Sequence, residues 1–306
     1  MVDIEEIKIK DLDNKPPSFK ANLYPRPNNR FIQKPYFICC AVGARGSGKS
    51  YIVVKLLSNQ EKSGFKDAEE GQKVGIRHIL FSPTFEANPI FSTLKYLNEE
   101  EDVHNEFTEQ KLLDVLSEVK HEREETKKYK EYKIAFEKYD KMSDDEFERW
   151  DDYDAIGLLY SNNFVHWRKI VPPKYPNGCV TNIVLDDCLA EKNCFSQKKS
   201  SALVKAVLNS RHYGVNIIMC SQNLKSINKS IRSNTDLWFL FKFKSEKIIL
   251  NDLYEEISGM LSPEEFLLLF DYATSDEFPN SCLCIDGKAE KGERFKRNLD
   301  NILRLK

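Results

Sequence analysis

The sequence predicts an α/β fold with a central, mainly parallel sheet flanked by helices. Three observations lead there. Gly43-Ala44-Arg45-Gly46-Ser47-Gly48-Lys49-Ser50 matches the phosphate-binding P-loop pattern G-x-x-x-x-G-K-[ST] at every fixed position. It lies between an apolar run of strand length, Tyr36 to Val42, and a mostly apolar stretch from Tyr51 to Leu57 that suits a helix. Further apolar runs, separated by helical patterns and ending in polar residues, repeat the strand-helix-strand order of a parallel sheet.

The loop's chemistry explains its spacing. Its glycines tolerate backbone angles that a side chain would forbid, so successive N–H groups can turn inward round a polyphosphate. Lys49 then supplies a point charge for the outer phosphates, and the following helix N-terminus adds a partial positive charge. The Ser50 hydroxyl is placed to ligate magnesium. Gly43 through Ser50, with Tyr51 next to them, are therefore the candidate ligand-binding residues.

With 306 residues, 41% of them hydrophobic, the chain can bury one large α/β core or a core plus a small appendage. It lacks a run of about 18 apolar residues, and Met1-Val2-Asp3-Ile4-Glu5-Glu6 has neither a basic nor an apolar leader region, so no transmembrane segment or signal peptide is expected. The expectation is a soluble, intracellular protein. None of the eight cysteines forms a C-x-x-C pair and several fall inside apolar runs, which favours reduced, buried thiols over zinc or disulfides.

In chain order, residues 1–34 contain Lys15-Pro16-Pro17 and Tyr24-Pro25-Arg26-Pro27 and read as an extended N-terminal arm. A P-loop domain is expected over 35–290. After the P-loop helix, Ile76 to Phe81 reads as a second strand ending at Ser82-Pro83-Thr84, and Phe85 to Leu97 as one short helix. Between Glu99 and Asp154 stand 21 acidic and 10 basic side chains, a net of −11 that leaves +9 on the rest of a chain whose formal net charge is −2. That positive remainder is compatible with a phosphate-rich partner. The acidic stretch carries a weak helical stripe of Phe107, Leu112, Leu113, Val115, Leu116 and Val119, and is expected as a charged helical insertion (98–155) on the outside of the sheet.

Turn chemistry from Pro172 to Gly178 ends that region, and Cys179 to Leu185 resumes the sheet as a buried strand closed by Asp186-Asp187. A helix is expected over Lys198 to Asn209, strands over Val215 to Cys220 and Leu237 to Phe241, helices over Glu246 to Ile257 and Pro263 to Phe270, and a last strand over Ser281 to Ile285. A basic C-terminal tail, 291–306, closes the chain.

An enzyme that hydrolyses a nucleoside triphosphate needs a carboxylate at a neighbouring strand end to hold magnesium, and a further group to orient or deprotonate the attacking water. Asp186 suits the metal and Asp187 the water, because side chains at a strand's C-terminal end can line the crevice where open α/β sheets bind ligands. Gln222, after Ser221, would reach the same crevice as a sensor. Arg211 and, behind it, Arg232 are candidates for an arginine delivered across a subunit boundary.

Taken together, Val42 to Ser50, then Ile183-Val184-Leu185-Asp186-Asp187-Cys188, then Ser210-Arg211-His212-Tyr213-Gly214-Val215 through Ser221-Gln222, resemble the FtsK/HerA superfamily of DNA-pumping ATPases. The compact length, the proline-bearing arm and the Asp-Asp pair look most like the poxvirus-type genome-packaging ATPases of large double-stranded DNA viruses. The resemblance implies a RecA-like sheet, ATP and Mg2+ as cofactors, a homo-hexamer with sites between subunits, and double-stranded DNA as the translocated partner. It further implies assembly with a capsid or inner-membrane virion protein, at a viral assembly site in the host cytoplasm or in the virion. Competing readings are another P-loop helicase or translocase and a non-hydrolysing ATP-binding adaptor for virion assembly. A GTPase would need an Asn-Lys-x-Asp motif, which does not occur.

Overall fold

The computed structural model describes residues 24–68, 70–188, 201–242, 253–254 and 261–305. The chain enters its sheet through β1 (Arg26–Pro27), inside the stretch expected as an arm, and continues into β2 (Ile38–Val42). Every residue of β2 is buried, because its alternating side chains feed two different cores. Ile38, Cys40 and Val42 face one core, while Cys39 and Ala41 face the other with Phe37. The second core rests on α1 (Lys49–Ser63) through Ile52, Val53, Leu56 and Leu57.

A short hairpin of β3 (Phe65–Lys66) and β4 (Lys73–Phe81) follows. The helix expected over Phe85 to Leu97 is reduced to one 3-10 turn, Pro89–Thr93. Asn88 precedes a proline and is thereby disfavoured from helical angles, so a longer helix cannot run through it. β5 (Val103–His104) pairs with the end of β4.

α2 (Glu109–Tyr139) is 31 residues long, about 46 Å of helix. The stretch expected as a helical insertion on the outside of the sheet is helical here and packs against the sheet's face. Its first turns bury Leu112, Val115, Leu116 and Val119 in the main core beside Phe81 and Phe107. Its last turns run on into a satellite core, where Tyr132, Ala135 and Phe136 pack with Trp150 and Leu159 from α3 (Asp144–Glu148) and α4 (Tyr153–Ser161) and their flanks. Thr108 caps the start of α2 by accepting from the Lys111 amide, and Ser143 and Glu146 form a capping box on α3.

β6 (Cys179–Leu185) then lies beside β4, α5 (Ala202–Leu208) and α6 (Ser210–Tyr213) lead to β7 (Val215–Ser221), and α7 (Lys229–Arg232) leads to β8 (Leu237–Phe241). α8 (Pro263–Ala273) precedes β9 (Cys282–Asp286). Residues 198–200 of one expected helix, almost all of the expected Glu246 to Ile257 helix, and Cys194 lie outside the described residues. Among the described residues no cysteine forms a disulfide.

The strand order is β1-β3-β4-β6-β7-β2-β8-β9, extended by β10 (Phe295–Arg297) and β11 (Asn301–Ile302). From β4 to β8 the strands are parallel, and β9 to β11 pair antiparallel at one edge. The central, mainly parallel sheet flanked by helices is therefore present. The basic tail expected over 291–306 is instead part of this sheet through β10 and β11. Phe295 is buried in the main core, and the buried Lys296 ammonium lies 3.5 Å from Asp286.

Two polar clusters are buried in the parallel half. On the α1 face, His78, Asn182 and Asn216 stand directly opposite one another on β4, β6 and β7. Asn182 Nδ2 is 3.1 Å from His78 Nδ1, Asn216 Nδ2 donates to Asn182 Oδ1 at 2.8 Å, and the Phe37 amide donates to Asn216 Oδ1 at 3.0 Å. Glu61 near the end of α1 meets His78 Nε2 at 3.1 Å. On the opposite face the buried Arg77 guanidinium binds Asp102 at 2.6 Å, Glu118 at 2.7 Å and Glu122 at 3.2 Å, pinning α2 to β4.

Candidate active site

The parallel strands all end on one edge of the sheet, and the P-loop leaves β2 there. The Gly43 amide donates to the carbonyl of Ser221 at 3.1 Å, which places the loop beside the end of β7. Gly48 adopts φ 101° and begins α1 with, among the described residues, no side-chain cap on the helix amides. A Cβ on it would meet strain from that backbone angle and stand 3.3 Å from the Asn280 carbonyl oxygen. Uncapped amides at the start of a 15-residue helix are the feature that a phosphate oxygen satisfies.

Lys49 is only 6% exposed, and its ammonium donates to the carbonyls of Gly43 at 3.0 Å and Ala44 at 2.9 Å. The charge is thus held inside the loop on weak partners. Among the described residues the buried Ser47 hydroxyl has no hydrogen-bond partner, an orphan polar atom in the same loop. Arg45 is exposed, as is Tyr51 in the first turn of α1.

Asp186 follows β6, and β7 separates β6 from the P-loop strand β2. The carboxylate nevertheless meets the P-loop helix: Ser50 Oγ donates to Asp186 Oδ2 at 2.9 Å and lies 3.2 Å from Oδ1. Burial pushes the Asp186 pKa up, and the neighbouring Asp187 charge adds to this; hydrogen bonds from the Cys220 thiol and Ser50, and the Lys49 charge, oppose it. A carboxylate held above its usual range beside a hydroxyl is a donor pair that a hard divalent cation fits, since such ions take oxygen ligands. Magnesium and a polyphosphate therefore suit Ser50, Asp186 and the loop amides.

Asp187 diverges from its neighbour. It takes a left-handed conformation, φ 52°, outside the range most side chains favour, and its Oδ2 lies 3.5 Å from the Thr84 hydroxyl at the end of β4. The turn sends one acid towards the P-loop and the other towards the next strand end. Gln222 is exposed directly after β7, at the edge where Gly43 pairs with Ser221.

The arginines lie elsewhere. Arg211 is exposed on α6, before the first residue of β7, so the seven residues of that strand put about 20 Å between it and the P-loop edge. Arg232 is half-buried, with Nη1 3.5 Å from the carbonyls of Leu224 and Ile227. Sequence reasoning missed Thr84 and Cys220. Thr84 had a signal, since it follows an expected strand end; Cys220 had none, because a cysteine inside a buried strand reads as packing.

Sheet, loop and acid together define an α/β fold of the P-loop NTPase type. No protein-family model matches the chain. The chain is 31% identical over 129 residues to uncharacterized protein 075L of Invertebrate iridescent virus 6, covering 40% of this chain and 48% of that protein. It is 28% identical over 128 residues to uncharacterized protein 088R of Invertebrate iridescent virus 3, covering 42% and 46%. The match thus spans about half the length of these curated relatives. Among solved structures, the genome-packaging NTPase B204 of Sulfolobus turreted icosahedral virus 2 in complex with ATP-gammaS is 16% identical, with a TM-score of 0.43, covering 89% of this chain and all of that one. The cytoplasmic domain of the Thermomonospora curvata type VII secretion ATPase EccC is 13% identical, with a TM-score of 0.38, covering 89% of this chain and 29% of that one. Among the described residues no helix is long and apolar enough to cross a membrane.

Proposed function

We propose that this chain is an ATP-hydrolysing motor that translocates double-stranded DNA, packaging a viral genome into its capsid as a homo-hexamer. The observation that carries the catalytic part is the contact of Ser50 with Asp186, which joins the P-loop to the acid-bearing strand across an intervening strand. The P-loop amides and the orphan Ser47 hydroxyl bind phosphate oxygens, and the Lys49 ammonium exchanges its two loop carbonyls for them. Ser50 and Asp186 hold Mg2+, which when bound neutralises charge on the triphosphate. Asp187 accepts the proton of the attacking water, with Thr84 holding its carboxylate, and Gln222 orients that water. The viral resemblance of the motifs supports the packaging role, with a capsid or inner-membrane virion protein as the docking partner in the host cytoplasm or the virion.

The position of Arg211 favours action on a neighbouring subunit, since within one chain it stands on the far edge of the sheet. Mixing Arg211→Ala chains with P-loop-dead Lys49→Ala chains is then expected to restore part of the hydrolysis that each lacks alone. Mixtures with no recovered turnover would assign Arg211 to another task.

Steady-state ATP hydrolysis with and without linear duplex DNA tests the proposal. Duplex is expected to stimulate turnover. Lys49→Ala is expected to weaken ATP binding about 10- to 100-fold, the loss of charge-assisted hydrogen bonds to phosphate, and to abolish turnover. ATP turnover indifferent to duplex would remove the DNA motor; unchanged binding by Lys49→Ala would remove the site.

A further inference from the structure

We propose that the outer face of α4 is a docking surface for a lysine- or arginine-rich segment of another protein. This goes beyond the ATPase reading and uses none of its residues. Tyr153, Gly157 and Tyr160 stand at helical spacings of four and three, on one face of the helix. Tyr153 is 81% exposed and Tyr160 62%, while Leu159 on the other side is fully buried in the satellite core.

Gly157 marks the stripe as more than chance exposure. Glycine is a poor residue for a helix interior, and among the described residues a Cβ at 157 would meet nothing within 4 Å, so none of them requires its absence. A backbone or side chain pressed between the two tyrosines would require it. The back of Tyr160 is braced as well. Asn163 and Phe164 follow in successive left-handed conformations, φ 51° and 53°, and the Phe164 ring packs edge-on against Tyr160 at 5.0 Å. Phenylalanine is disfavoured there, so the chain accepts a local cost to hold this ring in place.

Charge decides the occupant. Between Asp144 and Asp154 stand seven carboxylates and a single basic residue, Arg149, and all seven acids are exposed. Among the described residues none of the seven takes part in an ion pair. This field repels nucleic-acid phosphates and anionic lipid, and carboxylates beside open tyrosine rings suit ammonium and guanidinium groups through charge-assisted hydrogen bonds and cation–π contact. Rigid tyrosines are also the side chains enriched in protein interfaces.

The test uses a fluorescein-labelled peptide of repeating lysine and leucine, with a glutamate and leucine peptide as control, read by fluorescence anisotropy. The parent chain is expected to bind the lysine peptide alone, more weakly as salt rises. Tyr153→Ser/Tyr160→Ser and, separately, Gly157→Leu are expected to weaken binding about tenfold or more, with all seven carboxylates, the circular dichroism spectrum and ATP turnover unchanged. Equal binding by all three proteins would reduce the surface to bulk charge and overturn the proposal, as would failure of the parent to bind. Salt-sensitive self-association of the parent, lost in both variants on sedimentation, would overturn it in favour of a second copy of this chain.

Discussion

Asp187→Asn is expected to bind ATP as the parent does and to hydrolyse it about 100- to 10,000-fold more slowly, the range that a positioned general base contributes. The two neighbouring acids allow this separation. Asp186 is tied to Ser50 on the P-loop helix and is the acid proposed to serve the ligand, whereas Asp187 turns towards Thr84 and away from that contact. Asparagine keeps the shape and, like aspartate, tolerates left-handed angles, so the turn at φ 52° should survive the change. Equilibrium nucleotide binding and single-turnover hydrolysis, measured on the same preparation, check the prediction. Normal turnover would assign water activation to another group, and lost binding would assign Asp187 to the ligand.

Arg77→Ala is expected to destabilise the fold by about 3–5 kcal/mol, the cost of leaving one partner of a buried pair without the other. Asp102 is as buried as Arg77 and would keep its charge with no counterion, while Glu118 and Glu122 would lose the contact that pins α2. Urea denaturation followed by circular dichroism measures it. Replacing both members, Arg77→Leu with Asp102→Leu, is expected to recover much of the loss, because the most buried acid leaves with its partner, Glu118 is half-exposed and Glu122 keeps Lys174 at 4.0 Å. A loss below about 1 kcal/mol for the single change would mean that the cluster is solvated.

The P-loop and the Asp186-Asp187 pair were legible because their chemistry is local: each is a short string whose residue types have few other uses. The parallel strands were legible for a related reason, since burial on both faces leaves unbroken apolar runs such as Leu237 to Phe241. Strand order was not legible. Nothing in the spacing of residues 42 and 186 says that one strand will lie between theirs, yet the meeting of Ser50 with Asp186 depends on it. α2 was blurred because one helix serves two cores, so its apolar stripe changes direction along its length and averages away. β10 was hidden because Lys296 counts as a charge in the sequence and becomes a buried partner of Asp286 only once β9 lies beside it.

The row of His78, Asn182 and Asn216 bears on how the chain finds its alignment. These residues arrive from stretches more than thirty positions apart and meet only when β4, β6 and β7 are in the right sequence and in step. Sliding one strand by a single residue would turn its amide to the other face and strand two polar groups in a dry interior. Apolar runs alone tolerate such slips, since one valine or isoleucine substitutes for the next. The three polar side chains therefore act as notches on an otherwise smooth key, rejecting misaligned sheets during folding and holding level the strand ends from which the P-loop and Asp186 project.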